Sequence, residues 1–116
     1  MDEASWAGVG FRIVGRDDAR FFRAPGLYAF VRDDPEAGRL MLFAGQAECL
    51  AAEAGPAHPL WVEALRLGVN ELHVGFPIPR RVDRLQLLSR IVRHVQPILN
   101  VVDEAHPAPD VLRLRA

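Results

Sequence analysis

Short apolar runs alternate with polar, turn-rich stretches along the chain, and their period changes from two to 3.6 and back. Val9-Gly10-Phe11-Arg12-Ile13-Val14 combines β-branched and aromatic residues with partial alternation, which predicts a short strand. Asp17 is placed to cap a helical turn through Ala19 to Phe22, and Pro25-Gly26 then punctuates the chain. Leu27 to Val31 and Leu40 to Ala44 are two further apolar runs, joined by the polar stretch Arg32 to Arg39, and together they predict a β-hairpin. Gly45 ends its second strand. Ala47 to Ala54 reads as a helix with Cys49 and Leu50 turned inward, closed by Gly55-Pro56.

Pro59 suits the first turn of a second helix, Leu60 to Leu67, with Trp61 on its core side and Gly68 as its cap. Glu71 to Phe76 alternates as a third strand, with Leu72, Val74 and Phe76 on one face, ended by Pro77 and Pro79. Arg80 to Val95 carries the strongest helical signal. Leu85, Leu88, Ile91, Val92 and Val95 lie in a wide apolar arc, while Gln86, Ser89, Arg90, Arg93 and His94 fill the rest, the pattern of a helix packed on a sheet. Pro97 stops it, Leu99 to Val102 reads as an edge strand, and the tail from Asp103 holds one more apolar segment, Val111 to Leu114. The fold class is therefore α/β: one small domain with a three-stranded, mainly antiparallel sheet flanked by helices.

Composition narrows this picture. At 116 residues, half of them hydrophobic and a quarter charged, the chain has the length and balance of one folded domain. Its apolar runs fall far short of the roughly 20 residues that span a bilayer, and the N-terminus lacks a basic-then-apolar secretory pattern, so the expectation is a cytoplasmic protein without a membrane partner. The single cysteine, Cys49, excludes an intrachain disulfide and reads as a small apolar residue. His58, His73, His94 and His106 are scattered without the close spacing of a zinc pair, and no metal site is expected from them. Net charge is −1 and every cation other than histidine is an arginine, so nonspecific attraction to nucleic acid is weak overall and any such contact must be local.

The order of hairpin, two helices, strand, long helix and Pro-x-x-Asn resembles the GIY-YIG nuclease domain, and three local motifs match it. Pro25-Gly26-Leu27-Tyr28 resembles the first family motif. Phe43-Ala44-Gly45-Gln46 is similar to the second, with phenylalanine where tyrosine usually stands. Gln96-Pro97-Ile98-Leu99-Asn100 resembles the family's ending after its long helix. The motif positions are thus Gly26, Tyr28, Gly45, Pro97 and Asn100. The resemblance covers residues 24–102, leaving 1–23 as an N-terminal extension with a strand and a helical turn, and 103–116 as a tail.

The resemblance implies a cleft in which a glutamate on the long helix holds one divalent metal, an arginine stabilises phosphate charge and tyrosines orient the attacking water. A Lewis acid and a cation beside the phosphate each lower the barrier, so losing either cripples cleavage. This sequence departs from the pattern at both places. Carried across residue by residue, the arginine eight positions after Gly45 becomes Glu53, and the glutamate nine positions before Pro97 becomes Leu88. With Phe43 lacking a hydroxyl, Tyr28 alone survives, so Tyr28, Phe43, Glu53 and Leu88 are cleft remnants. Asp83, Asp103 and Glu104 are poor substitutes, since Asp83 faces away from Leu88 and the other two follow the helix. Arg84, one turn before Leu88, is expected to pair with Glu53 across the former metal site.

Arg80, Arg81, Arg84, Arg90 and Arg93 make the long helix basic and are the candidate binding residues, for phosphate or an acidic partner, against the simpler reading of a solvated face. The functional expectation is a catalytically degenerate nuclease-like domain that binds or scaffolds without turnover and needs no cofactor. A protein partner or self-association is favoured, and DNA contact is secondary. The alternative is a diverged endonuclease using magnesium, with Tyr28 still acting in the cleft.

Overall fold

The computed structural model describes residues 2–102 and 112–114. Two strands, β3 (Gly26–Asp34) and β4 (Gly38–Ala47), form the expected hairpin, in register from Gly26 opposite Ala47 to Asp34 opposite Gly38 and interrupted by a bulge between Phe30 and Val31. Both strands run further than the apolar runs that mark them. Charged residues extend the ladder, with Asp33 opposite Arg39, and the Asp34 carboxylate accepts the Glu36 and Ala37 N–H groups at 2.8 and 3.1 Å, so the loop shrinks to Pro35-Glu36-Ala37. The third predicted strand is β5 (Glu71–Gly75), antiparallel to β3.

The sheet does not stop at three strands. Val9–Gly15, here β2, pairs with the far side of β5, and Glu3–Trp6, here β1, pairs with β2, giving a five-stranded antiparallel sheet in the order β1-β2-β5-β3-β4. Burial of Val9 and Phe11 joins β2 to the core. Glu3-Ala4-Ser5-Trp6 is too short and too polar to announce β1 by period.

Helices cover both faces. On one face α3 (Arg81–Val95) lays Leu88, Ile91 and Val92 on Leu27, Ala29 and Val31 of β3 and on Met41 and Ala44 of β4. On the other, α1 (Leu50–Glu53), α2 (Trp61–Arg66) and a 3-10 turn (Asp18–Phe21) cover Tyr28, Phe30, Phe43, Leu72 and Val74. The first predicted helix is reduced to one turn because Ala47 stays on β4 opposite Gly26. Its free N–H groups find partners outside the helix: Leu50 donates to the Ala24 carbonyl and Ala51 to that of Phe22. No helix among the described residues is long and apolar enough to cross a membrane.

After α3 the chain turns at Gln96, in the left-handed region, and runs along the outer edge of β4. Leu99 N–H donates to the Leu42 carbonyl at 2.7 Å, and the buried Asn100 side chain both accepts from Ala44 N–H and donates to Ala44 C=O, each at 2.8 Å. Asn100 thus stands in for a neighbouring strand. Beyond it, β6 (Asn100–Val102) pairs with β7 (Leu112–Leu114) in a separate two-stranded antiparallel sheet, while Asp103, Glu104 and His106 lie outside the described residues. Asn100→Ala strands two buried backbone groups and is expected to cost about 3 kcal/mol. Urea unfolding checks this; a midpoint within error of wild type contradicts the edge-capping role.

Candidate functional site

Tyr28 and Gly45 are direct cross-strand partners. The tyrosine ring lies over Gly45 so closely that a Cβ there would overlap the hydroxyl, so a larger residue would force the tyrosine to move. Gly26 is held the same way from the other side, since a Cβ on it would overlap the Gly75 carbonyl of β5. Two of the glycines that carry the family resemblance therefore permit close approach between neighbouring groups of the sheet.

Tyr28 is 4% exposed and sits in an aromatic cluster, 5.6 Å from Phe30 and 6.0 Å from Phe43 between ring centroids. His58, from the loop before α2, closes the cluster edge-on to Tyr28 at 5.8 Å and tilted over Phe43 at 4.8 Å. Its Nδ1 accepts the Leu60 N–H at 3.0 Å, so the ring hydrogen belongs on Nε2, and burial pushes its pKa down, keeping the imidazole neutral at pH 7. Burial, and then the nearby Glu53 carboxylate, push the Tyr28 phenol well above its ordinary value, so it stays protonated. Glu53 accepts the Glu48 N–H at 3.1 Å. The site thus holds the neutral phenol of Tyr28, the neutral imidazole of His58 and the carboxylate of Glu53. This set can donate hydrogen bonds or meet a flat apolar group, but its one charge repels phosphate.

Leu88 is not in this cluster. It is 3% exposed, in the layer under α3, whereas Tyr28, Phe43 and His58 lie on the opposite face of the sheet. Leu88, expected as a remnant of the same cleft as Tyr28, is instead separated from it: the pleat of β3 sends Tyr28 to one side and its neighbours Leu27 and Ala29 to the side that Leu88 covers. Of the side chains weighed as magnesium ligands, Leu88 offers no donor atom and Asp83 lies 3.8 Å from the Arg80 guanidinium, while Asp103 and Glu104 lie outside the described residues. Among the described residues no three histidine, cysteine, aspartate or glutamate side chains gather as a metal site.

Arg84 also departs from expectation. Its partner is Glu48 rather than Glu53, and it is fully buried rather than available to a phosphate. Nε donates to Gln46 Oε1 at 2.9 Å, Nη1 to the Ile78 and Pro79 carbonyls at 2.9 Å each, and Nη2 to Glu48 Oε1 at 2.6 Å. Gln46 and Glu48 come into reach because Ala47 stays on β4, carrying the chain past the first turn of α3 before α1 begins. Of the other candidate arginines, Arg80, Arg81, Arg90 and Arg93 are exposed; Arg80 is near Asp83, and Arg93 donates to Ser89 Oγ at 3.2 Å. His58 was not distinguishable from the other histidines by spacing. Its one local signal is that it shortly precedes Trp61, which begins α2 and packs with His58 on the Phe30 ring.

Neither family models, curated proteins nor solved structures match this chain.

Tyr28 is the sole tyrosine, so phenolate absorbance reports it alone. A phenol raised in the folded state adds stability that is present below its ordinary value near 10 and is lost above it. Alkaline titration is expected to show no phenolate until the domain unfolds; a reversible step near 10 in folded protein contradicts the buried placement.

Proposed function

We propose that this chain is a non-catalytic binding or scaffolding module on a nuclease-like α/β domain, with a protein partner or a second copy of itself as its favoured occupant. The observation that carries the reading is the position of Leu88, where the resembling family holds its metal. That residue is a buried leucine, which has no donor atom for a metal and packs as core. Glu53 supports it by putting a negative charge beside Tyr28, where the family has an arginine. A fold persists after its site decays because the packing that maintains it is independent of the chemistry it once carried.

The favoured occupant follows from surface chemistry. Net charge is −1, and α2 presents Val62 and Leu65, 64% and 41% exposed, one turn apart on its outer side. DNA contact is the second reading, favoured by the exposed arginines Arg80, Arg81 and Arg90 of the α3 segment.

Sedimentation across a concentration series, with DNA nicking measured on the same preparations, tests the reading. The expected result is association that Val62→Asp with Leu65→Asp weakens about tenfold or more, and no nicking of supercoiled DNA with magnesium. Magnesium-dependent nicking abolished by Tyr28→Phe overturns the non-catalytic reading. A monomer at every concentration that is retained on DNA in a salt-sensitive, Arg81- and Arg90-dependent way replaces self-association with the second reading.

A further inference from the structure

His73 has no part in the Tyr28 cluster, yet it is a completely buried imidazole with both ring nitrogens engaged. It stands on β5 and faces the layer that holds Phe11, whose ring lies 6.5 Å away. The Trp6 indole N–H donates to its Nδ1 at 2.9 Å, and its Nε2 lies 3.0 Å from Glu71 Oε1. An indole can only donate and a carboxylate can only accept, so the ring is a neutral tautomer with its hydrogen on Nε2. Glu71 is held in turn by Arg39, with contacts of 2.8 and 3.3 Å, and Arg39 lies 3.8 Å from Asp33. This polar chain joins β1, β5, β4 and β3.

Its first link carries a mechanical consequence. β1 is an edge strand whose only ladder partner among the described residues is β2, and Glu3 and Ser5 are exposed. Trp6 reaches across β2 to bond with β5, tying the edge strand to the interior of the sheet.

We propose that the Trp6–His73 hydrogen bond is an acid-released latch, in which a proton taken from solvent by His73 Nδ1 sets two donors face to face, expels the indole and frees β1 while the remaining sheet stays folded. The groups facing the imidazole are Glu71 from its own strand, Arg39 from β4, Asp33 from β3, Trp6 from β1 and the uncharged Phe11 from β2. Burial disfavours the imidazolium most strongly; Glu71 and Asp33 favour it and Arg39 opposes it, leaving the pKa below its ordinary 6.5. The released state, with His73 in water, binds the proton more readily. The latch is therefore closed above about pH 6.5, and its contribution falls by about tenfold in equilibrium constant per pH unit as pH drops below that value toward the buried pKa. This inference does not depend on the proposed binding role.

Amide hydrogen exchange on the full chain, followed as protection factors from about pH 7.5 to pH 5, tests the latch. The expected result is a selective loss of protection in the β1–β2 ladder below about pH 6.5, with β3–β5 amides retaining theirs. His73→Gln, which keeps a carbonyl acceptor without a titrating ring, should abolish the pH dependence. Trp6→Phe should leave β1 poorly protected at every pH. His58→Asn should retain the transition, since His58 titrates in the opposite layer. Unchanged β1 protection in the wild type, or the same loss in His73→Gln, overturns the proposal. If His73→Gln does not fold, a wild-type-like transition in Trp6→Phe overturns it equally.

Discussion

Every side chain of β3 from Leu27 to Val31 is buried, and the pleat divides them between two apolar layers: Leu27, Ala29 and Val31 on one side, Tyr28 and Phe30 on the other. A strand buried on both faces needs cover on both. α3 supplies one cover and the short helices α1 and α2 the other. This alternation also decides the chemistry. A residue beneath α3 cannot meet Tyr28 through the sheet, so Leu88 and Tyr28, aligned by resemblance with one catalytic centre, belong to separate packing environments.

The polar groups inside follow the same economy. Arg84, Asn100 and His73 are the buried polar side chains among the described residues, and each stands at a joint. Arg84 fastens the start of α3 to the end of β4 and to the Ile78-Pro79 segment. Asn100 closes the open edge of β4, and His73 ties β1 to β5. No buried side-chain nitrogen or oxygen among the described residues lacks a partner, so these groups knit elements together without the penalty of an unsatisfied dipole.

Much of the fold was legible because its signals are local. The α3 pattern from Arg80 to Val95 matches the observed Arg81–Val95, and the hairpin, β5 and the terminating Pro97 follow from period and turn chemistry. Boundaries shifted where long-range pairing overrode local pattern: charged Asp33 and Arg39 were drawn into the ladder, and Ala47 into β4. β1 stayed hidden because Glu3-Ala4-Ser5-Trp6 has no partner to reveal it until β2 folds. The pairing of Arg84 with Glu48 rather than Glu53, and the approach of His58 to Tyr28, depend on where loops land. Helical projection places Leu88 and Arg84 on the inward side of α3, but it carries no information about which face of the sheet that side meets.

Equilibrium unfolding of Leu88→Glu with and without magnesium measures that separation most directly. A carboxylate at this position, enclosed by Leu27, Ala29 and Ile91 and remote from Tyr28, should cost several kcal/mol, about 3 or more, and magnesium should restore none of it. Near-wild-type stability that rises further with magnesium, and falls back in the Tyr28→Phe background, would place the two residues in one cleft and contradict the layered account.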